Sequence, residues 1–218
     1  MFPCFITLVF FIPFVKSEFL ESFVNDNFSK VYSYNLSYSC GVSGDYWVFG
    51  SLFCFLTAYL CPGIHVNNIR ASFVVSDCSF VSCESIVSSG AFYLSLLDKS
   101  RLINERVCIF SCLTMSDNFP SAYYFNSVGE ITGIISMGSV FNCGKLPNKG
   151  LMIFRIETIN IMHSYNSSFQ FNRGYSGIYS VSNNLSIISS TFFYNNLSEN
   201  SIFYFAGLNI SISYTNIV

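Results

Sequence analysis

"DCSFVSCESIVSSGAFYLS" (Asp77–Ser95) sets one phenylalanine, Phe80, among cysteines and serines, and ten residues later a glycine, Gly90, opens a short apolar strand. The arrangement returns through most of the chain. Aligned on phenylalanine, the sequence gives Phe53 in "SLFCF", Phe80 in "CSFVSC", Phe110 in "CIFSC", Phe141 in "SVFNC" and Phe169 in "SSFQFN". The sixth landmark is Phe193, or alternatively Phe192, in "STFFYN". The intervals are 27, 30, 31, 28 and 24 residues. A small residue follows each landmark and starts a second apolar strand: Gly63, Gly90, Ser121, Gly150, Gly177 and Ser201, at offsets of 10, 10, 11, 9, 8 and 8. Two landmarks in step over six copies mark a tandem array, and periods of about 20–50 residues belong to solenoids and related repeats.

The pieces between landmarks are short and rich in Phe, Tyr, Ile, Val, Ser and Thr, with Gly, Asn and Ser separating them. That is strand and turn chemistry. Alternation is clearest in "LNISISYTNIV", where Leu208, Ile210, Ile212 and Tyr214 share a face. The repeat region has no ten-residue run of helical periodicity. Two or three short strands per unit fit one coil of an all-β, right-handed parallel β-helix, here of about six coils over 46–218. In such a stack equivalent residues lie about 4.8 Å apart. Phe53, Phe80, Phe110, Phe141, Phe169 and Phe193 are therefore expected to form one interior column, with the small residues permitting tight corners. Asn67, Asn126 and Asn183 are expected at turns.

The bulk numbers agree with a folded chain and exclude some partners. Of 218 residues, 51% are hydrophobic, 18% aromatic and 10% charged, so the chain is neither disordered nor too short for a core. A net charge of −2, without basic runs, leaves no surface to displace counterions from phosphates and excludes a nucleic-acid partner. Mean hydropathy is +0.48. "MFPCFITLVFFIPFVKSEF" has fifteen uncharged residues before Lys16, and Val15 and Ser17 form a small-residue pair. Residues 1–17 read as a signal peptide, which makes the protein secreted or cell-surface. Residues 18–45 read as an N-terminal cap, with a short amphipathic helix over 18–33 covering the first strand edge. "ISISYTNIV" stops inside a strand pattern, so the C-terminal edge is expected either to belong to a truncated chain or to self-associate.

Without Cys4 eight cysteines remain, an even count that suits disulfides in an exported chain. Cys78 and Cys108 each precede their phenylalanine by two residues, and Cys112 and Cys143 each follow theirs by two. The expected bonds are Cys78–Cys108 and Cys112–Cys143; buried free thiols are the alternative. Six N-x-S sequons, at Asn27, Asn35, Asn166, Asn184, Asn196 and Asn209, are glycosylation candidates. Tyr46–Ile64 is nineteen residues without a charge, long enough for a membrane span, yet it carries the coil landmarks.

"SGAFY" (Ser89–Tyr93), "SGIYS" (Ser176–Ser180), "FQFN" (Phe169–Asn172) and "FFYN" (Phe192–Asn195) carry a resemblance. They are similar to the GGAI and FxxN motifs of the polymorphic-membrane-protein repeat, within the pectin-lyase-like β-helix proteins. The cysteine- and asparagine-rich style also resembles exported protist surface proteins. The resemblance covers 46–218 and implies the solenoid. Bacterial members end in a membrane barrel that exports them; the resemblance is taken to imply the architecture and not that secretion mechanism.

No catalytic site, metal site or cofactor is expected. The acids fall at unrelated coil positions, His65 and His163 stand apart, and no P-loop, GxGxxG, G-x-S-x-G or H-E-x-x-H occurs. Cys78-x4-Cys83 and Cys108-x3-Cys112 are poor zinc spacings. The expected function is non-enzymatic adhesion or contact with an extracellular ligand, glycan or protein, through a Tyr-, Asn- and Ser-rich face. The alternatives are a carbohydrate-binding or polysaccharide-degrading β-helix and a protein anchored through 46–64.

Overall fold

The structure is a computed structural model that describes residues 29–31, 38–116, 120–129, 131–144, 152–157, 161–170, 172–181, 184–193, 195–207 and 209–218. The chain winds as follows. Strands β1 (Ser29–Val31) and β2 (Tyr38–Cys40) come first. A full turn runs β3 (Gly44–Phe49), β4 (Leu52–Cys54), β5 (Thr57–Ala58) and β6 (Ile64–Ile69). The next is β7 (Ala71–Ser76), β8 (Ser79–Val81), β9 (Glu84–Ser85) and β10 (Phe92–Leu97), and then β11 (Arg101–Glu105), β12 (Cys108–Phe110), β13 (Leu113–Thr114) and β14 (Tyr123–Val128). In later turns the described residues give β15 (Thr132–Ser136), β16 (Ser139–Phe141), β17 (Met152–Glu157); β18 (Ile161–Tyr165), β19 (Ser168–Gln170), β20 (Arg173–Val181); β21 (Asn184–Ile188), β22 (Thr191–Phe193), β23 (Asn196–Phe205). β24 (Asn209–Ser213) and β25 (Asn216–Ile217) finish it.

Each strand pairs in parallel with its counterpart one turn away, the arrangement expected of a parallel β-helix. Sheet 1 has the order β1-β3-β7-β11-β15-β18-β21-β24, and sheet 3 the order β2-β6-β10-β14-β17-β20-β23. Between them sheet 2 stacks β4-β8-β12-β16-β19-β22-β25, and β5-β9-β13 form a small fourth sheet. The pairing already includes β1 and β2, upstream of residue 46. Ser29–Val31, the described part of the expected 18–33 helix, is strand β1 paired with β3. The rest of that helix and the 1–17 signal segment lie outside the described residues. The uncharged stretch 46–64 is laid out in β3, β4, β5 and the start of β6, and no helix among the described residues is long and apolar enough to cross a membrane.

One continuous core fills the tube. Phe73 and Val75 of sheet 1, Phe80 of sheet 2 and Phe92 and Leu94 of sheet 3 are all buried in it. Each sheet 2 strand points only its middle residue inward, so the interior column is Phe53, Phe80, Ile109, Val140, Phe169 and Phe192. This corrects the expected phenylalanine column at three places. Phe110, Phe141 and Phe193 sit one residue further on and look outward; Phe110 is 39% exposed and stacks on Phe141 with centroids 5.5 Å apart. The side-chain period of a strand is two, so a slip of one residue reverses the face. Ile109 and Val140 occupy the interior places instead. Where phenylalanines do meet inside, they stack: Phe53 on Phe80 at 4.5 Å and Phe169 on Phe192 at 4.8 Å.

Sharp corners bound sheet 2 on both sides. Before it, Gly50, Asp77, Arg106, Met137, Asn166, Ser189 and Tyr214 have left-handed φ of 48–54°; after it, so do Phe55, Ser82, Ser111 and Asn142. Glycine and asparagine tolerate this conformation, while the bulkier residues cost about 1 kcal/mol each. Gly63 and Gly90 serve differently, because neither has a left-handed φ. A Cβ on Gly63 would lie 2.3 Å from the Ala91 carbonyl, and one on Gly90 2.3 Å from that of Ser121. Close approach to the next turn requires glycine there. Asn67 and Asn126 lie within β6 and β14 rather than at turns, and Asn183 lies outside the described residues.

Candidate functional site

The outer face of sheet 3 carries a ladder of flat side chains. In-register pairing puts His65, Tyr93, Tyr124, Arg155, Tyr179 and Tyr204 at one position in six successive strands. His65 stacks on Tyr93 at 5.0 Å, and Tyr93 on Tyr124 at 4.9 Å. The Arg155 guanidinium then lies 5.6 Å from the Tyr124 ring and 5.4 Å from that of Tyr179. Tyr179 stacks on Tyr204 at 4.9 Å with an interplanar angle of 2°. The spacing is that of the sheet itself, so ladder geometry costs the backbone nothing. Each cation–ring contact adds about 0.5–1 kcal/mol. Because the ring faces cover one another, the ladder offers edges and polar tips in a straight row. Burial lowers the pKa of His65 at its N-terminal end. Tyr204, at the other end, is exposed.

Ser95, Asn126, Glu157 and Val181 share the register position two residues further on, and the Ser95 hydroxyl donates to Asn68 Oδ1 at 3.0 Å. Aromatic, cationic and amide groups thus occupy adjacent rows.

The sequons fall outside this ladder. Asn184 and Asn209 are in register on sheet 1, where Asn209 Nδ2 donates to Asn184 Oδ1 at 3.0 Å. With His163 and Ser186 they line a shallow groove. Asn166 is exposed at a left-handed corner, Asn196 opens β23, and Asn27 and Asn35 lie outside the described residues.

A second column runs down the corner after sheet 2. Cys83, Cys112 and Cys143, two residues beyond paired Val81, Phe110 and Phe141, are followed at the same place by Asn172 and Asn195. Backbone bonds from Leu113 N–H to Cys83 O (2.9 Å), Gly144 N–H to Cys112 O (3.0 Å) and Arg173 N–H to Cys143 O (2.8 Å) hold the register. Cys83, Cys112, Cys143 and Asn172 are fully buried. Contact with Cys112 and burial push the Cys83 thiol up, and burial pushes Cys112 up. The expected Cys112–Cys143 pair therefore lies within a row of three. Cys78 and Cys108 are not stacked. Cys78 joins the core, whereas Cys108 pairs with Ser79 and looks outward, again because of the one-residue slip. No disulfide joins Cys54, Cys61, Cys78, Cys83, Cys108, Cys112 or Cys143 among the described residues.

The charged groups near sheet 2 serve structure. Arg106 makes a two-pronged contact with Asp77 one turn away, at 2.6 and 2.8 Å, and also contacts Glu105. The Asp77 carboxylate raises the Arg106 pKa. Among the described residues no three His, Cys, Asp or Glu side chains converge on a metal site.

The aromatic ladder escaped sequence reading, because its members stand at variable distances after the small-residue landmarks. The strand register is needed to line them up. No protein-family model, curated protein or solved structure matches this chain.

Proposed function

We propose that this protein is an exported, non-enzymatic β-helix, secreted or displayed at a cell surface, that makes adhesive or ligand contacts through the outer face of sheet 3. The observation that carries the reading is the His65–Tyr204 ladder, a straight row of aromatic edges broken by one guanidinium. Tyrosine and arginine dominate contact surfaces because they combine apolar area with a polar tip at low entropic cost. The apolar N-terminal run supports export. The weakened GGAI and FxxN motifs support kinship with the polymorphic-membrane-protein type of pectin-lyase-like β-helix.

The test is binding of the purified chain to glycan arrays, extracellular-matrix proteins and cells. Tyr93→Ala, Arg155→Ala and Tyr179→Ala serve as ladder variants, and Ser186→Ala on sheet 1 as control. The expected result is binding that the ladder variants weaken at least tenfold and the control leaves intact. Absence of binding to every surface, or equal binding by all variants, overturns the reading. Turnover of any arrayed polysaccharide overturns its non-enzymatic part.

A further inference from the structure

Three thiols stand in one buried row, on three consecutive turns. Adjacent strands of a sheet are about 4.8 Å apart, inside the Cα separation of about 4.4–6.8 Å that a disulfide tolerates. Cys112 stands at the same corner position as Cys83 and Cys143, one turn from each. Cys83 and Cys143 are two turns apart and beyond each other's reach. Below Cys83 the column continues with Leu56, and above Cys143 with Asn172, so neither end residue has another sulfur in line.

We propose that Cys83, Cys112 and Cys143 form a cross-linking site that closes one disulfide at a time, always through Cys112, and keeps the third residue as a buried thiol. The oxidant is a small-molecule disulfide such as oxidised glutathione. A Cys112 thiolate attacks it, forming a mixed disulfide and releasing one glutathione thiol. The thiolate of Cys83 or Cys143 then displaces the second glutathione and forms the protein S–S bond. Two protein thiols give up two electrons and two protons; the glutathione disulfide becomes two thiols. The reaction takes place during folding, because burial afterwards closes all three sulfurs off from a dissolved oxidant. One sulfur cannot serve two bonds, so the 83–112 and 112–143 linkages exclude each other.

The full chain is refolded in a glutathione redox buffer, alkylated under denaturing conditions and mapped by non-reducing peptide mass spectrometry. The expected products are Cys83–Cys112 and Cys112–Cys143 linkages, with one alkylated thiol of the three in each chain. Cys83→Ala moves the population entirely to 112–143, and Cys143→Ala moves it to 83–112. Cys112→Ala removes both; should it fail to fold, the two end variants decide. A folded chain with all three cysteines alkylated, a Cys83–Cys143 bond, or a bond from the row to any other cysteine overturns the proposal. Because the oxidant is supplied in vitro, the outcome is independent of whether the sheet 3 face binds a ligand.

Discussion

The corner column after sheet 2 is one position in the fold filled in two ways. In three consecutive turns it is a thiol, and in the next two a carboxamide. Cys83, Cys143 and both carboxamides reach the same backbone group, the carbonyl of the interior sheet 2 residue one turn back, while the Cys112 sulfur lies 3.6 Å from Phe110 O. The Cys83 sulfur lies 3.5 Å from Phe53 O and the Cys143 sulfur 3.9 Å from Ile109 O; Asn172 Nδ2 is 3.0 Å from Val140 O and Asn195 Nδ2 3.0 Å from Phe169 O. The carboxamide does more. Asn172 Oδ1 also accepts from Cys143 N–H at 2.9 Å, and Asn195 Oδ1 from Asn172 N–H at 3.1 Å and Asn172 Nδ2 at 3.1 Å. The asparagine half ties turns together with full hydrogen bonds, whereas the cysteine half fills the corner with apolar volume and weak donors.

That contrast sets an order of sensitivity. Asn172→Ala strands the Cys143 N–H in a fully buried place, and the Val140 carbonyl and Asn195 Oδ1 each lose a bond to the amide. Unmet buried groups cost about 1–3 kcal/mol each, so the loss should be about 3 kcal/mol or more, read from the urea midpoint. Cys112→Ala removes one buried sulfur and leaves a small void, for a loss of about 1–2 kcal/mol under reducing conditions. If the two variants lose equal stability, the distinction between the halves is wrong.

The sequence made the solenoid legible but hid its register. Aligning on phenylalanine set Phe80, Phe110 and Phe141 in one row, because aromatic residues stand on both faces of the three-residue strands. Interior volume can be filled by phenylalanine, isoleucine or valine alike, so Ile109 and Val140 left no distinct mark. The corner residue is more constrained, since it must fit behind a left-handed residue and reach a carbonyl. Phe80-x-x-Cys83, Ile109-x-x-Cys112, Val140-x-x-Cys143, Phe169-x-x-Asn172 and Phe192-x-x-Asn195 keep the register that the phenylalanines lose. The FxxN motif was visible only in its last two copies, because cysteine replaces asparagine in the others. The sheet 3 ladder was hidden for a related reason: the loops ahead of it differ in length.

If the two fillings answer one demand, they should interchange. Cys143→Asn places an amide where Nδ2 meets Ile109 O and Oδ1 meets the Cys112 N–H, copying Asn172 one turn on. Stability should change by less than about 1 kcal/mol. A loss beyond about 2 kcal/mol would show that the corner at Cys143 is too narrow for a carboxamide, and that the thiols are there for size.

Alkali should separate the halves with the smallest effect, since carboxamides have no proton to lose. In the reduced fold burial raises Cys78 from 9.0 to about 12, burial also raises Cys112, and contact with Cys112 together with burial raises Cys83. Buried Tyr123, which faces this cluster, is raised as well. Below pH 9 folded and unfolded thiols are both protonated, and the stabilisation is intact. Above it the unfolded chain releases protons that the fold retains, so stability falls as pH rises from the unfolded value towards the folded ones. Urea midpoints at about pH 8 and pH 10 in excess reductant should therefore drop, and drop less in Cys83→Ala/Cys112→Ala than in the parent. Asn195→Ala should shift both midpoints equally and leave the slope unchanged. A parent-like slope in the double cysteine variant would move the alkaline sensitivity to Tyr123 and Cys78 and away from the thiol row.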